Sequence, residues 1–347
     1  GRLGLGGASL DDLTISGEGK RAFEAEQVRV RLEWPGLFNP RVAGVDVDVP
    51  VVRGALSDGR LTFHGLERLT SPGGGSSGST FPAFQISDGR ILIETSAGEV
   101  GASVSASGLF PKDARASLTL DPASLDGAEG SISWTGGTAE LSARDGQLEG
   151  QTDIALEEVR TDDVHILNAK LVARLEAGTE ADSAAQLVWD GQVAEATGAD
   201  FSVAGMVTSG QVRLNALTGA TPGEILAAVT GADIQLEAGK AQWTDYAAES
   251  VRAEASLHGQ DGHISGPVDI DLTKLSLPQG RAGQLVVAGD LDWATETGFG
   301  FAGQVNASKA ALADTFSGSF LSRVSLPAPL TAHGDSLRAA LRRALSN

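Results

Sequence analysis

Cysteine is absent from all 347 residues. That excludes a disulfide framework, a thiolate metal site and a cysteine nucleophile, and it suits an oxidising compartment such as a periplasm. Positive charge is scarce: 26 Lys and Arg stand against 45 Asp and Glu, a formal net charge of −19. Such a surface repels phosphate backbones, which excludes nucleic acid as a partner, and it disfavours unassisted adsorption to an anionic membrane. Aromatic residues make up 5% of the chain, with a single Tyr and a single Met, so bulky core-filling groups are few. No apolar run approaches the roughly 20 residues of a helical membrane span. The first residue is Gly1, not Met, which gives the expectation that an anchor or signal segment has been removed. Glycine, by contrast, is plentiful at 45 residues, as many tight turns between many strands would require.

What is present is period-two patterning. In Gln27–Trp34, Val28, Val30, Leu32 and Trp34 share one parity, and Arg29, Arg31 and Glu33 share the other. After the turn-forming Pro35-Gly36-Leu37-Phe38-Asn39-Pro40, Val45, Val47, Val49 and Val51 alternate with Asp46 and Asp48. Strands with one apolar and one charged face follow from this spacing. Phe84 and Ile86 lead through Asp88-Gly89 to Ile91 and Ile93, which predicts a hairpin turn at Asp-Gly. A second hairpin is predicted through Ala97-Gly98 to Val100–Ala106, where Val100 and Val104 are apolar, and Leu118 and Leu120 continue the series. Four of the five tryptophans, Trp134, Trp189, Trp243 and Trp293, recur roughly every fifty residues, the mark of stacked units. Helix signals are few. Thr221-Pro222-Gly223-Glu224 reads as the cap of a short helix running to Val229, and Ser336–Ser346 as an amphipathic, basic helix.

Four segments emerge: an N-terminal β-segment over 1–70, a Gly/Ser linker over 71–80, a repetitive β-region over 81–326 and a C-terminal amphipathic helix over 327–347. Catalytic motifs are not found in context. Gly74-Gly75-Ser76-Ser77-Gly78 matches the nucleophile-elbow spacing but lies in the linker without a strand before it or a helix after it. His258 and His263 flank a Gly-rich turn and lack a third metal ligand. The acidic pairs Asp46/Asp48 and Asp269/Asp271 read as solubility and edge protection. The expectation is therefore a chain without catalytic residues, metal or cofactor.

The N-terminal order of strand, short loop and a strand ending Val47-Asp48-Val49-Pro50 resembles the AsmA-like superfamily of Gram-negative envelope proteins. Phe81-Pro82-Ala83-Phe84-Gln85-Ile86 followed by Gly89-Arg90-Ile91-Leu92-Ile93-Glu94-Thr95-Ser96-Ala97-Gly98 is most similar to its YdbH-type group, related to TamB. The resemblance covers residues 9–110 and is architectural beyond them. It implies a taco-shaped groove that carries phospholipid acyl chains between membranes. It also implies a periplasmic location, attachment to the inner membrane through a missing N-terminal anchor, and an outer-membrane lipoprotein partner.

The fold class read from these features is mainly β: an elongated, repetitive, curled antiparallel sheet with an apolar interior and few short helices. The lining of its groove would be Val28, Val30, Leu32, Val45, Val47, Val49, Phe84, Ile86, Ile91, Ile93, Val100, Val104, Leu118 and Leu120. Many small inward residues beside them, Ala102, Ala106, Ala114, Ala116, Ala253 and Ala255, would leave room for a ligand. The leading function is non-enzymatic phospholipid transport or outer-membrane lipid homeostasis. The alternative is a structural or interaction protein of the envelope with a closed core; an unrecognised hydrolase ranks third. The weakly charged segment Phe299–Leu312 is expected to leave a C-terminal edge open to further β-strands.

Overall fold

The computed structural model describes residues 1–17, 20–35, 41–57, 60–63, 82–128, 130–179, 183–216, 228–260, 262–278, 280–294, 298–312 and 316–326. The regular elements of the described residues are all β-strands, and the chain divides into two compact units, Gly1–Asp162 and Asp163–Asn347. Unit 1 holds β1 (Arg2–Gly4), β2 (Gly7–Gly17), β3 (Lys20–Glu33), β4 (Arg41–Asp48), β5 (Val51–Ser57), β6 (Arg60–Thr62), β7 (Ala83–Thr95), β8 (Gly98–Leu109), β9 (Asp113–Leu120), β10 (Ala123–Gly127), β11 (Gly130–Arg144) and β12 (Gln147–Thr161). Unit 2 holds β13 (Val164–Gly178), β14 (Ala185–Gly198), β15 (Phe201–Leu214), β16 (Val229–Trp243), β17 (Tyr246–Ala248), β18 (Ser250–Gln260), β19 (His263–Leu277), β20 (Gly280–Ala294), β21 (Gly298–Leu312) and β22 (Phe316–Leu326).

Unit 2 is an antiparallel meander. Each long strand pairs with the next, and β17 and β18 lie end to end along β16. Unit 1 is mixed. β4 and β5 lie end to end along β3, and β7 runs parallel to both. The purely antiparallel expectation fails at this point. A parallel neighbour needs a connection of a dozen or more residues, and the stretch between β6 and β7 supplies that length.

A row of residues skipped by the ladders, a crease, crosses each unit transversely. In unit 1 the ladder skips Asp12 in β2, Glu26 in β3, the Val49-Pro50 step between β4 and β5, and the Asp88 position in β7. Asp12, Val49 and Asp88 have φ of 53°, 50° and 52°, a left-handed conformation that is uncommon outside glycine and costly for β-branched valine. The crease is still hydrogen-bonded: the Val49 amide donates to the Ser87 carbonyl at 2.9 Å and the Arg90 amide to the Pro50 carbonyl at 2.7 Å. Unit 2 repeats the device at Asn168, Ala194, Gly205, Gly239, Glu249, Lys274, Gly283 and Lys309, with φ of 49°, 64°, 50° and 49° at Asn168, Gly205, Lys274 and Lys309.

The crease overturns one sequence expectation. Asp88-Gly89 is not a hairpin turn, because β7 passes straight through it from Ala83 to Thr95. A left-handed Asp followed by Gly serves a turn and a bulge equally well. The predicted hairpin through Ala97-Gly98 does form, with Thr95 opposite Gly98. Nor do the tryptophans mark a constant unit. Trp134, Trp189, Trp243 and Trp293 fall in β11, β14, β16 and β20, and Trp189 lies within its strand while Trp243 ends one. The Gly/Ser linker over 71–80, the helix over 327–347 and most of the short helix after Thr221 lie outside the described residues; Val229, expected at its end, begins β16.

Candidate functional site

Residues directly opposite one another in a ladder point to the same side of the sheet. In unit 1 one lane runs Leu10, Val28, Val47, Ile86, Ala106, Ala116, Leu141. A lane beyond the crease runs Ile15, Phe23, Val52, Ile91, Ala102, Leu120, Gly137, Ile154. Between and beside them Val30 faces Val45, Val45 faces Phe84, Leu32 faces Val42, Ile93 faces Val100 and Val104 faces Leu118. Thirteen of the fourteen residues singled out from sequence therefore share one face. Val49 is the exception, since it sits in the crease and pairs with no opposite residue. Each skipped residue shifts the inward parity by one, which is why Ile86 and Ile91 share a face although they are an odd number of positions apart.

Unit 2 has an equivalent face, of which the sequence reading singles out only Ala253 and Ala255 as inward positions. One lane runs Ala169, Val193, Met206, Ala238, Val251, Leu272, Leu285, Ala307. A second runs Leu171, Gly191, Thr208, Leu236, Ala253, Ile270, Val287, Val305. The period-two signal was present there, but with Ala and Gly at many inward positions its contrast is low.

These faces are partly open. Among the described residues, those buried almost completely are alanines, Ala22 and Ala307. The best-covered large groups, Trp134, Ile264 and Leu275, retain 7% exposure, and Leu10, Leu141, Leu171 and Leu187 retain 37–47%. Buried residues beside the crease include Ala25, Ala238, Ala248, Leu275, Ala282 and Ala307. Leu275 packs there with Ala248, Ala282, Val251, Leu272, Leu277 and Leu285. A second fixed point is Trp134, whose indole Nε1 donates to the Asp121 carbonyl at 2.7 Å, at the break between β9 and β10.

The opposite face holds the ionised groups. Arg31 pairs with Asp46 at 3.1 Å and Arg29 with Asp48 at 3.7 Å, and Glu24 accepts from both Arg53 and Arg21 at 2.8 Å. Asp46 and Asp48 are thus cross-strand partners inside the sheet, not edge guards, because β4 lies between β3 and β7. Asp271 is likewise interior and accepts from Gln284 at 2.6 Å. In unit 2 Gln186 donates to Gln211 at 3.1 Å and Gln211 to Asp233 at 2.7 Å. Ser256 and Arg213 also donate to Asp233, at 2.5 and 3.0 Å. These donors hold the Asp233 carboxyl below the usual range, Ser256 contributing most. Hydrogen bonds from Arg53 and then Arg21 lower Glu24, and the one from Gln27 lowers Asp11. These surface networks tie neighbouring strands together across the sheet.

His258 and His263 occupy the β18–β19 hairpin, and His263 Nε2 lies 3.0 Å from Asp292. Among the described residues no group of His, Asp and Glu is arranged to hold a metal ion, and no helix is long and apolar enough to cross a membrane. The edge expected at Phe299–Leu312 is covered, since β22 pairs along β21. Comparison with protein-family models, curated proteins and solved structures returns no match.

Proposed function

We propose that the chain binds lipid acyl chains on its creased apolar faces and serves in the carriage of phospholipid within a cell envelope, as the AsmA-like resemblance implies, without catalysis. The observation that carries this reading is a predominantly apolar face in each unit that stays partly exposed. Water contact with such a face is unfavourable by roughly 25 cal/mol per Å² of apolar surface. Exposed contiguous apolar area of this kind marks binding sites for apolar partners. The small inward residues leave space above the sheet that a flexible hydrocarbon chain can fill. A closed-core structural protein is the alternative, and a face buried to completion by its own side chains would favour it. Periplasmic residence, an inner-membrane anchor and an outer-membrane lipoprotein partner belong to the same proposal.

The test compares two neighbours on opposite faces. Val104 lies in an apolar lane between Gly89 and Leu118, and exposed Ser103 faces away between Arg90 and Thr119. Val104→Asp is expected to abolish crosslinking of a photoactivatable phospholipid per folded molecule, because a carboxylate against hydrocarbon lacks a partner. Ser103→Asp is expected to leave it unchanged. Equal loss from both substitutions would refute the assignment of faces.

A further inference from the structure

We propose that the apolar face of unit 2 seats the head group of its ligand at one end, and that this end prefers a head group bearing an ammonium over an anionic one. The inference rests on the lipid-binding reading above and adds its head-group class. Three aromatic rings gather at that end of the face. Trp243 is in register with both Phe201 and Tyr246, and the Phe201 and Trp243 ring centroids are 6.3 Å apart. Trp243 and Tyr246 nevertheless remain 52% and 40% exposed. Aromatic groups with one side apolar and the other wet suit the boundary between a hydrocarbon chain and its polar head. Their ring faces attract cations, quaternary ammonium groups above all.

The surroundings carry the matching charge. Asp200 and Asp245 occupy the turns that join β14 to β15 and β16 to β17, and the two turns are tied by the Thr244 amide donating to the Asp200 carbonyl at 2.7 Å. Asp163 immediately precedes β13, whose first residue Val164 pairs with Gly198 beside the same turn. An ammonium at this end meets both aromatic faces and a negative field, whereas a bare phosphate or carboxylate head meets repulsion in a chain of net charge −19. The lanes themselves offer no cationic side chain to an anion, and Thr208 is their one hydroxyl. Their in-register residues are Ala, Gly, Val, Ile, Leu, Met and Thr, and strand amides are committed to the ladder. A second copy is a poorer occupant, because pairing the faces would bring together two chains of charge −19.

The experiment uses the full chain and three amphiphiles with the same acyl chain, bearing a phosphocholine, an uncharged glycerol or a carboxylate head. Affinities are measured by fluorescence displacement at low and high salt. Phosphocholine is expected to bind about two- to five-fold more tightly than glycerol, the range of a partly exposed cation–π contact, with the carboxylate weakest at low salt and recovering as salt screens the repulsion. Replacing Trp243 and Tyr246 by Leu is expected to erase the phosphocholine advantage and keep glycerol binding, since apolar bulk is retained. Binding of all three heads without preference, or a preference unchanged in the double variant, overturns the head-group inference and leaves the lipid reading standing. Absence of binding by every amphiphile, or a ligand-free dimer that excludes them, overturns both.

Discussion

Gly89 sits in the crease of β7 and is buried. A Cβ built there would lie 2.8 Å from Val104 Cγ1, 3.0 Å from Pro50 Cγ and 3.1 Å from the Val104 carbonyl oxygen. Val104 belongs to β8, and the Pro50 carbonyl accepts from the Arg90 amide, so relief requires β7 to move away from β8 or from the Val49-Pro50 step. Overpacking of this kind costs about 1–3 kcal/mol. Gly239 is the skipped residue of β16 in the crease of unit 2, and there a Cβ meets only the Ala204 carbonyl oxygen, at 3.6 Å. Gly239→Ala should therefore be neutral or stabilising by roughly 0.5–1 kcal/mol, because alanine has less unfolded freedom to lose. With two units a single global unfolding free energy is poorly defined, so local opening is the better readout. Hydrogen exchange followed by mass spectrometry on peptides from β7 and β8 should accelerate about 5- to 30-fold in Gly89→Ala for a cost of one to two kcal/mol. Peptides from β15 and β16 should be unchanged or slower in Gly239→Ala. Equal behaviour of the two variants would show that the crease lacks the tight packing described for β7.

Leu275→Ala removes the central side chain of the cluster at the unit 2 crease and should cost about 2–4 kcal/mol, read as faster exchange in β19 and β20; a cost below 1 kcal/mol would mean the cluster contributes little. The pH dependence follows from Asp233, Glu24 and Asp11, whose carboxyls are held below their ordinary values of 3.8, 4.5 and 3.8. A depressed folded pKa gives stability that is present above the unfolded value and is lost as pH falls through the folded one. Thermal midpoints should therefore hold down to about pH 4.5 and fall below it, and Asp233→Asn should flatten the part of that fall belonging to unit 2. A rise in stability on acidification would contradict the sign.

The sequence by itself determined the strands, through the period of two, and which apolar residues of unit 1 share a face, through their parity. Val28, Val30 and Leu32, for example, needed only the knowledge that alternate side chains share a face. It also determined the Ala97-Gly98 hairpin and the poverty of positive charge. The crease belonged to the tertiary structure. A left-handed Asp before Gly has the same local chemistry in a turn and in a bulge, so Asp88 could be placed only once β7 was seen hydrogen-bonded along both β4 and β5. The parallel pairing of β7 was hidden for a related reason, since strand patterning carries no direction. Asp46 and Asp48 were legible as an outward pair, but whether β4 was an edge or an interior strand depended on neighbours distant in the chain. Above all, alternation of apolar and polar residues fits an open sheet, a sandwich and a barrel alike. Whether the apolar face is covered is a question of what lies ten ångströms above it, and that is decided by the path of the whole chain.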